Sequence, residues 1–129
     1  MLQTLKTLYH KLPAPPSSNY LFRIFDINRY ELLPENPVIV DIGSKDASGS
    51  YAFGKPPAGA RVVCVDIAAG PGVDLVGDAH DLHMVENISV DCVISVSTFE
   101  HLRYPQKAIK EALRILKPGG ILYLNVPFL

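Results

Sequence analysis

Apolar runs bounded by polar loops recur along the chain after residue 36. The first run is Val38–Val40, which is β-branched and uninterrupted, and the second is Arg61–Asp66. Runs of this kind are typical of strands that are buried on both faces of a parallel sheet. Further strands are predicted at Val73–Val76, Ser89–Val96 and Ile121–Val126. The pattern therefore predicts one sheet of five strands.

Apolar residues at helical spacing occur between the last two of these strands and near the N-terminus. After Pro105, the apolar residues Ile109, Ala112, Leu113 and Leu116 predict an amphipathic helix that Pro118–Gly120 ends. Two further helices are predicted between residues 2 and 12 and from Asn19 to Tyr30. We therefore divide the chain into an N-terminal helical extension, residues 1–36, and a sheet domain, residues 37–129.

Three successive strands end at or just before an aspartate: Asp41, Asp66 and Asp78. In an open α/β sheet, ligands bind at the carboxyl ends of the strands, where these carboxylates would meet. Asp66 follows Gly43 by 23 positions, close to the offset of about 20 at which an acid meets ribose hydroxyls. Asp78 could accept a hydrogen bond from the exocyclic amine of a base, with Ala79 leaving room for the ring. The alternatives are that Asp66 caps a turn and that Gly43 and Gly77–Asp78 mark ordinary turns.

Composition limits the class of protein. The chain has 129 residues, enough for one domain, and its 48% hydrophobic content is that of a globular protein. A net charge of −1 gives no electrostatic reason to expect a nucleic acid or an anionic membrane as partner. No signal-peptide pattern and no membrane-spanning run occurs, and Cys64 and Cys92 look like buried hydrophobic residues without metal-ligand spacing. A cytoplasmic location is therefore predicted.

Five motifs in this order resemble the class I S-adenosylmethionine-dependent methyltransferases, over roughly residues 37–127. They are Val38–Gly43, Val63–Ile67, Gly77–Leu82, Asp91–Leu102 and Glu111–Gly120. The resemblance implies a doubly wound, mostly parallel Rossmann-like sheet of strand order 3-2-1-4-5, extended in the family by two more strands. In that order strand 1 separates Cys64 from Cys92 by about 9–10 Å, which is too far for a disulfide.

The same resemblance implies S-adenosylmethionine as cofactor, with S-adenosylhomocysteine as its product. The cofactor-binding residues that it implies are Asp41, Gly43, Ser44, Asp66, Ile67, Asp78, Ala79 and Ser97. Among them, Asp41 and Gly43 would line the methionine part, Asp66 would hold the ribose hydroxyls, and Asp78 would meet the adenine. Ser97 would lie near the methyl-bearing sulfur.

The chain departs from the family pattern in two places. Lys45 and Ala47 stand where the family has further glycines, and the chain stops where the family's last two strands should follow. Strand 5 would then be an open apolar edge, which proteins normally cover. The chain is either a fragment of a longer protein or is covered there by another chain, and a homodimer through this edge is one hypothesis.

Methyl transfer by direct displacement needs alignment and exclusion of water more than an acid–base pair, so no catalytic residue is predicted. His101 is the one candidate general base, although a structural or solvent-exposed role is favoured. No metal site is predicted, because His80, Asp81 and His83 lack a further ligand cluster.

The expected acceptor is a small molecule or a carbohydrate- or lipid-linked compound. One alternative is a non-catalytic cofactor-binding or interaction module. A dinucleotide-dependent oxidoreductase is disfavoured, because the loop after strand 1 lacks the second and third glycines of G-x-G-x-x-G.

Overall fold

The computed structural model describes residues 31–44 and 56–126. The two predicted N-terminal helices, and the positions of Lys45 and Ala47, lie outside the described residues. The division of the chain at residue 36 therefore stays a prediction.

In the part of the chain that the structure describes, five parallel strands form one sheet in the order β3-β2-β1-β4-β5. The elements are β1 (Val38–Ile42), β2 (Arg61–Asp66), β3 (Leu75–Val76), β4 (Val90–Val96), a 3-10 helix (Phe99–His101), α1 (Pro105–Ile115) and β5 (Leu116–Asn125). This order confirms the predicted doubly wound, Rossmann-like architecture. Because β1 lies between β2 and β4, Cys64 and Cys92 lie on strands that are not neighbours, and both side chains are buried, as expected.

The third strand is shorter than the predicted Val73–Val76. Its regular pairing begins at Leu75, which is opposite Val65. Just before it, the Asp74 carboxylate accepts the Cys64 N–H at 2.8 Å, and the Asp74 N–H donates to the Cys64 carbonyl at 2.9 Å. A side-chain oxygen therefore replaces a backbone carbonyl at this position, and the regular ladder starts one residue later.

The helix before β5 is also shorter than predicted. It ends at Ile115, and the next residue, Leu116, is already extended and pairs with Val90. Pro118 disfavours a helical conformation at the residue before it, so the chain leaves the helix before reaching the Pro-Gly-Gly sequence. The register between β4 and β5 then shifts between Val90 and Cys92, and Gly119 there has a φ of +79°.

The two faces of the sheet bury separate apolar clusters. On one face, Val40, Ile42 and Val93 pack with Leu82 and with α1, whose buried side chains are Ala108, Ala112 and Ile115. On the other face, Ile39, Cys92 and Ile94 form a second cluster. The alternation of faces along β1 puts Asp41 on the side of Ile39, where its side chain is fully buried.

A buried carboxylate joins three strands at the end of the sheet where the strands begin. Asp91 accepts the Val38 N–H at 2.8 Å and the Lys117 Nζ at 2.9 Å. Burial raises the pKa of Asp91, but these two hydrogen bonds and the lysine charge outweigh it and leave the pKa lowered. The ionised side chain therefore ties β1 to the start of β5.

Within the described ranges, β5 pairs only with β4, so its outer edge forms no ladder. The described residues include no helix with the length and apolar character needed to cross a membrane.

Candidate functional site

A cavity of about 340 Å³ opens at the carboxyl ends of β1, β2 and β3, and we call it the sheet-edge cavity. Its described walls are Ile42, Gly43, Val65, Asp66, Ile67, Gly77, Asp78, Ala79, His80, Thr98, His101, Leu102 and Arg103. The volume is in the range of small-molecule sites, and the position is the ligand site of open α/β sheets. Five of the eight residues predicted to bind the cofactor line this cavity: Gly43, Asp66, Ile67, Asp78 and Ala79.

Gly43 begins the loop that leaves β1. It has a φ of +81°, a conformation that favours glycine, and a Cβ added there would overlap the side chain of Thr98. The Gly43 N–H donates to the Val65 carbonyl at 2.8 Å. The preceding carbonyl, of Ile42, accepts the Ser95 hydroxyl at 2.9 Å. The first turn of the loop is therefore held by both neighbouring strands.

Asp66 and Ile67 form the wall at the end of β2. One Asp66 carboxylate oxygen accepts the Ala68 N–H at 3.1 Å, which fixes the side chain at the cavity. Ile67 is 69% exposed. A large apolar side chain that stays exposed beside a cavity offers a surface that a flat ring can cover.

Asp78 follows β3 and is held by the residue two positions later. Its Oδ1 accepts the His80 backbone N–H at 2.8 Å and lies 2.6 Å from the His80 Nδ1. The backbone hydrogen bond and then the ring hydrogen bond lower the pKa of the Asp78 carboxyl. Asp78 is therefore an oriented, ionised acceptor at the cavity, next to the buried methyl group of Ala79.

The other three residues predicted to bind the cofactor lie next to residues of the sheet-edge cavity but do not line it themselves. Asp41 is fully buried in β1, opposite Cys64 on one side and Ile94 on the other. Ser44 is buried with its hydroxyl 3.4 Å from the Asp41 carbonyl. Ser97 has a φ of +53° and donates its N–H to the Asn125 carbonyl at 2.9 Å.

The segment after β4 supplies cavity residues that the sequence analysis did not assign to the cofactor. Thr98, His101, Leu102 and Arg103 all line the cavity, as does His80 from the other side. The sequence feature that could have identified them is the position of residues 97–103 directly after a predicted strand, because the carboxyl ends of parallel strands lie at one edge of the sheet. The side chain of His101 is 77% exposed and its Nε2 is 3.8 Å from Glu100.

Tyr104 directly follows this segment, and two cationic side chains lie near its ring. The guanidinium of Arg103 is 5.3 Å and the Nζ of Lys107 4.9 Å from the centre of its ring, within cation–π range. The His80 ring meets the same ring edge-on, with centroids 6.2 Å apart. Within residues 31–44 and 56–126, no three His, Cys, Asp or Glu side chains converge in a way that could hold a metal ion.

Comparisons with known proteins agree with this geometry. The sequence model of a family described as methyltransferase domain matches residues 40–124, which are 85 of the 129 residues. The crystal structure of a SAM-dependent methyltransferase from Thermotoga maritima is 29% identical, with a TM-score of 0.57, and the match covers 81% of this chain and 50% of that one.

Two more distant matches extend the comparison. The CurJ carbon methyltransferase structure is 18% identical, with a TM-score of 0.65 over 96% of this chain and 38% of its own, and shows the fold alone. An uncharacterised 37.1 kDa protein in transposon TN4556 of Streptomyces fradiae is 38% identical over 58 residues, which are 44% of this chain and 16% of that protein.

The chain spans half or less of the length of each of these three proteins. The family match nonetheless runs from β1 into β5 and includes the residues at the carboxyl ends of β1, β2, β3 and β4. With its strand order, its sheet-edge cavity and this match, the chain belongs to the methyltransferase domain family of class I S-adenosylmethionine-dependent methyltransferases.

Proposed function

We propose that the protein transfers a methyl group from S-adenosylmethionine to a small-molecule or a carbohydrate- or lipid-linked acceptor by direct displacement. The observation that carries the proposal is the sheet-edge cavity, where Asp66 and Asp78 lie at the ends of neighbouring strands beside the left-handed Gly43. The activity and the acceptor are proposals, because the chain spans only part of the length of its relatives.

The described residues fit the cofactor. Gly43 forms part of the cavity wall and carries no side chain, so a ligand can approach its backbone. Asp66 would accept hydrogen bonds from the ribose hydroxyls, since a carboxylate has acceptor sites for both. Asp78 would accept from the exocyclic amine of the adenine, and the exposed side chain of Ile67 would cover the ring. For Asp41, Ser44 and Ser97, contact with the cofactor stays a prediction.

S-adenosylmethionine supplies, when bound, a methyl group already activated by a sulfonium charge. The protein then has to align the acceptor, exclude water and hold the ligand by hydrogen bonds, and these effects need no acid–base pair. His101 lines the cavity, but its ring is largely exposed and stands next to Glu100. We therefore assign no catalytic residue among the described residues, and His101 stays a candidate general base.

A small acceptor is supported by charge and by shape. The net charge of the chain is −1, which gives no field that would attract a nucleic acid. The sheet-edge cavity is concave and partly lined by apolar side chains, such as Val65, Ile67 and Leu102, as small-molecule sites are.

A non-catalytic cofactor-binding module is the second candidate. It is favoured by the sequence of the loop after β1, where Lys45 and Ala47 stand in place of the family's further glycines. Saturable binding of the product S-adenosylhomocysteine, without methyl transfer to any plausible acceptor, would support this module over an enzyme.

The cofactor assignment is tested by calorimetric titration of the purified chain with S-adenosylhomocysteine, beside an Asp66→Ala variant. We expect saturable binding that weakens about 10- to 100-fold in the variant, because up to two charge-assisted hydrogen bonds are lost. The matched control is Asp81→Ala, since Asp81 is another aspartate at this end of the sheet but is exposed and does not line the cavity. No binding by a folded wild-type chain, or equal losses in both variants, would contradict the assignment.

We further propose that the outer edge of β5 pairs with a second copy of the chain. Support comes from the described residues, in which this ten-residue strand has a ladder on one side only, and an uncovered edge of that length is usually paired or covered.

We also propose a cytoplasmic location. Its support is the cysteine content: the chain has only two cysteines, Cys64 and Cys92, and both are buried in the sheet as small apolar side chains, as in proteins of reducing compartments.

A further inference from the structure

The side chain of His80 connects two loops that border the sheet-edge cavity. Its Nδ1 lies 2.6 Å from Asp78 Oδ1 in the loop after β3. Its Nε2 lies 3.3 Å from the backbone nitrogen of Tyr104, the residue just before α1. The ring is only 21% exposed and forms part of the cavity wall.

These two contacts determine which nitrogen carries the proton. A backbone N–H can only donate, so Nε2 must accept the Tyr104 hydrogen bond. A neutral imidazole has one N–H, and it is then on Nδ1. His80 therefore donates from Nδ1 to the Asp78 carboxylate.

Both hydrogen bonds that the Asp78 carboxylate accepts from the described residues end on the same oxygen. Oδ1 accepts the His80 ring N–H and also the His80 backbone N–H at 2.8 Å. Two donors on one oxygen fix the plane of the carboxylate and leave Oδ2 as the acceptor for a ligand. Without them, a side chain that is 52% exposed would lose rotamer freedom on binding, at a cost in affinity.

We propose that His80 is a positioning residue, which orients Asp78 to accept from the exocyclic amine of the adenine base and so makes the site selective for 6-amino over 6-oxo purines. The inference rests on the proposed function, since it takes adenine as the base bound beside Asp78. The lowered pKa of the Asp78 carboxyl supports it, because an ionised carboxylate can only accept.

Selectivity is the readout because the two ligands differ only at one edge of the base, where the 6-amine becomes a carbonyl oxygen and N1 gains a proton. In the deaminated analogue, S-inosylhomocysteine, a carbonyl oxygen replaces the amine and would face the Asp78 carboxylate, acceptor against acceptor. A site built around a hydrogen bond discriminates strongly against a ligand that cannot form it. We expect the wild-type chain to bind S-adenosylhomocysteine about 10- to 100-fold more tightly than the inosyl analogue.

The experiment measures both dissociation constants by calorimetry for the wild type and four variants. His80→Ala removes the ring hydrogen bond to Asp78 and leaves the backbone one, so it should lower the selectivity about 3- to 10-fold. His80→Phe should do the same while keeping a ring against Tyr104, so the result does not depend on the alanine variant folding. His80→Asn should retain most of the selectivity, because its amide N–H occupies about the position of Nδ1. The control is His83→Ala, since His83 is exposed and does not line the cavity, and it should leave the selectivity unchanged.

The outcomes separate this inference from the proposed function. If His80→Ala and His80→Phe weaken both ligands by the same factor, the selectivity survives and His80 is only structural, which overturns the inference. If the wild type binds S-adenosylhomocysteine but does not discriminate, the inference fails while the cofactor assignment stands. If the folded wild type binds neither ligand, both fail together.

Discussion

Replacing Glu111 with alanine is expected to lower the free energy of unfolding substantially, although Glu111 lies outside the sheet-edge cavity. Its Oε2 accepts the Leu82 N–H at 2.7 Å, and its two oxygens accept the Arg114 guanidinium at 2.9 and 2.8 Å. Arg114 also donates to the carbonyls of Leu82 and Val85, at 2.8 and 3.0 Å, and to the side chain of Asn87. The pair fastens the connection between β3 and β4 to α1.

The magnitude follows from what the substitution leaves behind. Both side chains are less than one-third exposed, 20% for Glu111 and 29% for Arg114, so solvent screens them only in part. Glu111→Ala removes three hydrogen bonds to a charged acceptor and leaves the Leu82 N–H without its partner, beside a fully buried side chain. We expect a loss of about 2–4 kcal/mol. With a urea m-value of about 1.5 kcal/mol/M, the midpoint should fall by roughly 2 M.

The pH dependence supplies a second, independent check. The hydrogen bond from Arg114 lowers the pKa of Glu111 in the folded protein, more than burial raises it. The contribution of the ionised Glu111 to the free energy of unfolding is therefore fully present above the unfolded-state pKa of about 4.3. It is lost as the pH falls through the lowered pKa of the folded state. The difference in stability between the wild type and Glu111→Ala should be largest near neutral pH and should shrink below about pH 4.

Urea unfolding followed by circular dichroism measures both effects at pH 7 and at pH 3. The matched control is Glu86→Ala, which removes an exposed carboxylate from the connection that Glu111 fastens. A shift in Glu111→Ala no larger than in Glu86→Ala would refute the reasoning. A difference that stays constant between the two pH values would show that the ionised carboxylate is not the source of the stability.

Two further predictions concern the loop after β1 and the edge of the sheet. Gly43→Ala should weaken S-adenosylhomocysteine binding by about tenfold or more in calorimetry, because the new Cβ meets Thr98 and the left-handed φ costs roughly 1–2 kcal/mol. Gly119→Ala is its control, since Gly119 has a similar φ of +79° but nothing within 4 Å of an added Cβ, and equal binding losses in the two variants would contradict this. If a second copy covers β5, light scattering should give a dimeric mass that falls on dilution, whereas a monomeric mass at every concentration would exclude the pairing.

The strands could be predicted from the sequence for a clear physical reason, whereas their order was implied by the family resemblance. Central parallel strands are buried on both faces, so they read as unbroken apolar runs, and four of the five strands carry such a run. The start of β3 was predicted two residues too early, because its pairing with β2 depends on the Asp74 side chain, which accepts the Cys64 N–H. A contact between a polar side chain and the backbone of a neighbouring strand cannot be inferred from the hydrophobic pattern of the sequence.

Which of the predicted site residues line the sheet-edge cavity follows from their places at the strand ends. Asp66 ends β2, Ile67 follows it, and Asp78 and Ala79 come shortly after β3, and all four line the cavity. Asp41 stands one residue before the end of β1, and the alternation of side chains turns it to the face of Ile39, away from the described walls. His80 was weighed only as a metal ligand, because its contact with Tyr104 joins positions 24 residues apart and arises only once the chain is folded.

The short connections of this fold explain why so much depends on a few polar side chains. Residues 67–74 and 77–89 cross between parallel strands without a regular helix, so their backbone groups lack the internal partners that a helix provides. Asp74, Glu111 and Arg114 supply partners instead, each by bonding to a backbone N–H or carbonyl of a buried element or its connection. Because the residues of the sheet-edge cavity lie within or beside these connections, loss of such a side chain should loosen the site before it unfolds the sheet.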